Sequence, residues 1–115
     1  DKNKEYLFNE GNIKTFYTDQ LNKDELNLLF KKLQQIKFDV IIDDGLHNYD
    51  ANINTFEALF PLLDQQNGIY FIEDILYKDL GKYYDYFYNK YNYKIIECLN
   101  TNENFMNCMI LIKKS

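Results

Sequence analysis

The stretch FDVIIDDGLH, Phe38 to His47, decides how this chain is read. Phe38, Val40, Ile41 and Ile42 form an apolar run of strand length, and Asp43, Asp44, Gly45 and the only histidine follow at once. Apolar residues at both phases of the alternation predict a strand, Phe38 to Ile42, in a parallel sheet covered on both faces. The carboxylates then fall where that strand leaves the core.

The periodicity on either side of this strand alternates in type. Before it, Asn12 to Thr18 (NIKTFYT) is short and rich in β-branched and aromatic residues, which predicts a strand. Asn22 and Glu25 resemble a capping box, and Leu26, Leu29, Phe30, Leu33 and Ile36 follow at helical spacing. After it, Asp50 is a candidate cap for a helix with a stripe of Ile53, Phe56, Leu59, Phe60 and Leu63. Pro61 should end or kink that helix. Gly68 to Ile72 (GIYFI) predicts a buried strand that again runs into acids, Glu73 and Asp74. A tyrosine-rich helix with Leu80, Tyr83, Tyr84, Phe87 and Tyr91 on one face comes next. Tyr93 to Leu99 and Asn107 to Lys113 are joined too tightly for a helical crossover, so they should pair antiparallel as a hairpin. The order β-α-β-α-β-α-β-β implies an α/β fold, with a mostly parallel sheet and an antiparallel last strand. The 115 residues make one domain.

Composition narrows the function. The formal net charge is −5 and arginine is absent, which argues against nucleic acid or an anionic membrane surface as partner. No apolar run approaches the ~20 residues of a membrane span. Cys98 and Cys108 lack metal-site spacing and read as reduced cysteines of a cytoplasmic protein.

Ligands of such sheets sit beyond the carboxyl ends of the strands. Asp19-Gln20, Asp43-Asp44 and Glu73-Asp74 are all expected at that edge. Neighbouring strands lie about 4.8 Å apart, so carboxylates from two strand ends can reach one ion. Two or three oxygens plus waters suit Mg²⁺. Asp43 and Asp44 cannot point the same way if the strand runs through them. His47 is a general base, a metal ligand, or a side chain packed at the loop-to-helix junction. Asp19 either accepts from an exocyclic amine such as that of adenine or shapes the turn before the helix. Glu73 either points into the site or satisfies backbone donors. The tyrosine stripe is read as core.

FDVIIDDGLH, then NTFEALFPLL, then NGIYFIED together resemble class I S-adenosylmethionine-dependent methyltransferases. They are most similar to the metal-dependent macrocin and mycinamicin-type sugar O-methyltransferases. The likeness covers about Asn12 to Asp74, and the combined motif is fairly specific where IDDG alone is not. Leu46 stands where serine is usual, and Gln66-Asn67 where proline and glycine are common. The resemblance implies a Rossmann-like sheet of which residues 1–115 form the C-terminal portion, without the first strand and its glycine-rich loop. It places Asp1 near the end of a second strand. An exposed edge left by missing strands predicts instability or self-association, the latter as a possible homo-oligomer.

Residue by residue, the resemblance assigns Asp44 and Asp74 to a divalent ion, His47 to the base, and Asp19, Gln20 and Asp43 to the S-adenosylmethionine side. It implies Mg²⁺-assisted methylation of a hydroxyl on a sugar or glycosylated metabolite. A non-catalytic Rossmann-like structural or partner domain, with this chain inactive alone, is the alternative. A metal-dependent hydrolase or hydroxylase is a third reading, weakened because one histidine cannot complete an iron facial triad.

Overall fold

The computed structural model of the protein describes residues 9–97 and 106–114. Asp1, Cys98, Leu99 and the connection before Met106 lie outside the described residues. The elements are β1 (Asn9–Glu10), β2 (Ile13–Lys14), α1 (Lys23–Leu33), β3 (Val40–Asp43), α2 (Tyr49–Leu59), β4 (Ile69–Leu76), α3 (Leu80–Phe87), β5 (Asn92–Glu97) and β6 (Met106–Lys113).

Among the described residues the main sheet has four strands in the order β3-β4-β6-β5. β3 runs parallel to β4, while β6 is antiparallel to both β4 and β5. The sheet is therefore mixed rather than mostly parallel. The expected hairpin of the last two strands is present, with Tyr93 opposite Ile112 and Ile95 opposite Ile110. β6 lies between β4 and β5 and pairs through its backbone with both.

The expected strand Asn12–Thr18 is not in this sheet. Only Ile13–Lys14 are extended, and they pair with Asn9–Glu10 in a separate two-stranded ribbon. Gly11, at φ 58, makes the turn between them, a conformation that costs glycine nothing. Residues 15–19 are irregular.

One sheet face carries the core. Tyr70, Ile72, Ile110 and Ile112 are fully buried there, and Phe56 of α2 and Phe87 of α3 close over them. Phe56 packs edge-on against Tyr70, Phe87 and Tyr91 at centroid distances of 5.0–5.2 Å, within the favoured range for aromatic pairs. The opposite face is only partly covered. Val40 and Ile42 are 49% and 57% exposed, so β3 is not buried on both sides as its composition suggested. Among the described residues β3 is also an edge strand.

α1 and α2 begin on asparagines. Asn22 Oδ1 accepts from the Asp24 and Glu25 amides, and Asn48, not Asp50, caps α2 by accepting from the Ala51 amide. Each satisfies amides left free in a first helical turn. Pro61 falls in a short 3₁₀ turn, Phe60–Leu62, that ends α2. Ile36 lies past α1 and is exposed, and Tyr84 faces solvent from α3, so neither joins the stripe its spacing indicated. Among the described residues no helix is long and apolar enough to cross a membrane.

Candidate functional site

β3 and β4 run side by side, with Asp43 opposite Ile72. On β3, Ile41 and Asp43 face inward while Val40 and Ile42 face out. Asp43 is therefore buried, and Asp44, one residue beyond the strand, has a side chain 60% exposed. The chain then turns through Gly45 and Leu46 to His47, whose φ of 56 is left-handed. Asn48 follows as the cap of α2. The turn is thus held between the buried Asp43 at the end of β3 and a helix start.

β4 does not stop before its acids, as the sequence suggested, but runs through them to Leu76. Its pairing with β6 shifts by one residue between Ile72 and Ile75 and shifts back between Ile75 and Leu76, and Asp74 adopts φ 54. This is a β-bulge, in which an extra residue re-aims a side chain. Tyr70 and Ile72 point into the core and so does Ile75. Strict alternation would have sent Asp74 inward; the bulge gives that place to Ile75 and turns Asp74 toward the β3 exit.

There it meets the turn. His47 Nε2 lies 3.7 Å from Asp74 Oδ2 and 3.9 Å from Asp44 Oδ1. One ligand atom from each of Asp44, His47 and Asp74 falls within a mutual 4.8 Å. Donors bound to a single Mg²⁺ lie no more than about 4.2 Å apart, twice the usual metal–oxygen distance. The two His47 pairs already meet that limit and the carboxylate pair lies within 4.8 Å, so the two carboxylates can close on one divalent ion with small side-chain adjustment, with the imidazole beside them either as a third ligand or, left free, as a base. Glu73 is not in this cluster.

Beside the cluster lies a cavity of about 560 Å³, lined by Thr18, Asp19, Gln20, Asp43, Thr55 and Tyr70 together with apolar residues of α1 and β3. That volume is within the range of small-molecule sites. Thr18 Oγ1, Asp43 Oδ2 and Tyr70 OH are buried without hydrogen-bond partners among the described residues. Buried polar atoms are nearly always paired, so three such atoms on one cavity wall fit a ligand that brings its own donors. Burial pushes the Asp43 carboxyl above the ordinary carboxylate value, and Asp44 adds to the push. Hydrogen bonds from the Gln20 amide and the Gly45 N–H, with the nearby imidazole, pull it back.

The remaining residues singled out in the sequence are placed as follows. Asp19 lines the cavity, and its Oδ1 accepts from the Leu21 amide at 3.0 Å, so it also shapes the turn before α1. Gln20 lines it too, but its amide is engaged with the protein: Nε2 donates to Asp43 and Thr55, and Oε1 accepts from the Leu46 amide. Thr55 and Tyr70 were not singled out. A threonine between Ile53 and Phe56 on a buried helix face was a readable signal; Tyr70, inside an apolar strand, gave none.

No protein-family model matches the chain, and no curated protein matches it. Among solved structures it is similar to the MycE methyltransferase from the mycinamycin biosynthetic pathway. In the complex with Mg, SAH and mycinamycin VI the TM-score is 0.45 and the identity 34%, over 53% of this chain and 15% of that one. In the complex with Mg and SAH the TM-score is 0.44 and the identity 35%, over 52% and 16%. The chain thus spans about one sixth of the length of MycE, and over the aligned half it is similar to part of a methyltransferase.

Proposed function

We propose that this chain carries the metal and acceptor side of an S-adenosylmethionine-dependent O-methyltransferase, acting on a hydroxyl of a sugar or glycosylated metabolite with Mg²⁺. The observation that carries the reading is the meeting of Asp44, His47 and Asp74 beside a cavity with unpaired buried oxygens. MycE holds Mg and SAH in its solved complexes, and the reading gives this chain the same kinds of group.

Asp44 and Asp74 would hold Mg²⁺, which supplies Lewis acidity that lowers the pKa of an acceptor hydroxyl. His47 takes the hydroxyl proton at Nε2, the nitrogen that faces both carboxylates. The proton it gains then sits between two negative charges. Asp43 and Asp19 would hold the cofactor: Asp43 Oδ2 is a buried acceptor without a partner among the described residues, suited to an amine or hydroxyl donor. The acidic lining also suits a sulfonium, whose methyl needs positioning rather than activation.

Titration calorimetry with Mg²⁺ and with S-adenosylmethionine tests this directly. The expected result is binding of both, with Asp44→Ala removing the Mg²⁺ isotherm and leaving the cofactor isotherm. A folded protein that binds neither would end the reading. Methyl transfer to sugar acceptors that continues unchanged in chelator would remove the metal from it.

A further inference from the structure

Gln20 lies in the turn before α1, far in sequence from the metal cluster, yet its side-chain amide meets the turn that builds it. Its Nε2 donates to Asp43 Oδ1 at 2.9 Å and to Thr55 Oγ1 at 2.8 Å, which uses both amide protons. Its Oε1 accepts from the Leu46 amide at 2.7 Å. Its backbone carbonyl accepts from Asn54 Nδ2 at 3.2 Å. Asn54 and Thr55 are neighbours on α2, and Thr55 Oγ1 donates in turn to the Ala51 carbonyl. The Gln20 side chain is therefore fixed to a helix at one end and holds the β3 exit turn at the other.

Gly45 makes this approach possible. A Cβ there would overlap Gln20 Oε1 and stand 2.7 Å from its Cδ. The amide sits in the space a side chain would take, directly between Asp44 and Leu46. We infer that Gln20 is a positioning residue: it clamps the Asp43–Leu46 turn to α2 and so sets where Asp44 and His47 stand relative to Asp74. It acts through hydrogen bonds to the turn and not by contact with the ion. The inference rests on the metal reading above.

Ligand geometry is set by the groups behind the ligands, and losing one such partner costs roughly 10- to 100-fold in metal affinity. The test uses Mn²⁺ as probe, followed by electron paramagnetic resonance, and the exchange rate of the Leu46 amide followed by NMR. Gln20→Met keeps the volume and removes all three hydrogen bonds. It should raise the Mn²⁺ dissociation constant about tenfold or more and speed Leu46 exchange. Q20E/D43N reverses donor and acceptor across the pair at constant charge and should restore both. Wild-type affinity and exchange in Gln20→Met would overturn the clamp.

If Gln20→Met does not fold, Q20E alone against Q20E/D43N decides. Affinity lost in the first and regained in the second supports the clamp; equal affinity in both overturns it. A wild-type protein without Mn²⁺ affinity removes the metal reading, and Leu46 exchange then decides the clamp by itself.

Discussion

His47 and Asp74 belong to different segments, yet both take left-handed backbone, at φ 56 and 54, and their side chains meet at 3.7 Å. Left-handed backbone costs an L-residue about 1–2 kcal/mol, and histidine and aspartate are among those that tolerate it best. Among the described residues only Asn89 shares this conformation without being glycine. Strain of this kind gathers at functional sites. Asp74→Asn keeps a tolerant residue, so its melting temperature should stay near wild type while Mn²⁺ affinity falls about tenfold or more. Asp74→Val should lose the affinity and also about 1–2 kcal/mol of stability. Equal stability of the two variants in denaturant melts would show that the backbone at Asp74 is unstrained.

Gly45→Ala should mimic loss of the Gln20 amide. The new methyl displaces the end of a flexible side chain, so the steric cost is small. The cost comes chiefly from the part-buried Asp43 carboxylate, which loses one of its two donors, since water can reach the exposed Leu46 amide. Leaving such groups unpaired costs about 1–3 kcal/mol where they are buried. Thermal denaturation should show that loss, and a Gly45→Ala protein as stable as wild type would mean the turn re-forms without Gln20.

Phe56 should be the most sensitive core position. It is fully buried and its ring lies against Phe60, Tyr70, Tyr86, Phe87 and Tyr91. Phe56→Ala should cost about 3–5 kcal/mol, a large share of the roughly 5–15 kcal/mol that holds a domain folded. Phe56→Leu should cost much less. Urea unfolding measures both, and a loss under about 1 kcal/mol for the alanine variant would contradict the packing.

Alkaline pH should act through Tyr83. Burial raises its phenol to about 12 from 10.0, while the hydrogen bond donated by Asn52 Nδ2 opposes the rise. Burial favours the neutral form in the fold, so the stabilisation is whole below pH 10 and is lost as pH rises through about 12. Burial raises Tyr70 and Tyr86 in the same direction. Tyr83→Phe should therefore flatten part of the stability loss across this window, while leaving Asn52 unpaired at neutral pH. Stability curves of variant and wild type that stay parallel up to pH 12 would assign the loss to other tyrosines.

Much of the architecture was legible because hydrophobic spacing reports it directly. The three helices, the strand at β3, the closing hairpin and the helix stop at Pro61 all follow from period or from a residue with one conformational use. What failed depended on distant context. Asn12–Thr18 has strand-like composition, but composition cannot say that Gly11 folds it onto Asn9–Glu10 instead of the sheet. Val40 and Ile42 are apolar, which does not say whether anything covers them. At the site, alternation alone separates Asp43 from Asp44. Nothing in IYFIEDIL announces a bulge, because the extra residue is visible only against the register of β6. Gln20 shows the limit most clearly: a glutamine next to an aspartate in a turn gives no hint of its three partners.

The bulge in β4 also means that fold and chemistry are written separately in this strand. Tyr70, Ile72 and Ile75 serve the core, and Asp74 serves the cluster. One extra amino acid, one codon's worth of chain, keeps the two sets from competing for the same side. Deletion of Glu73 would restore alternation from Ile72 to Ile75 and leave the second shift, between Ile75 and Leu76, in place: Ile72 and Ile75 still point inward, and the aspartate lies on the outer face. Such a chain should melt cooperatively like its parent and bind no Mn²⁺, an outcome that calorimetry checks. A lineage could lose the site in that single step and keep the domain, leaving relatives of the same shape with nothing at the strand end to hold an ion.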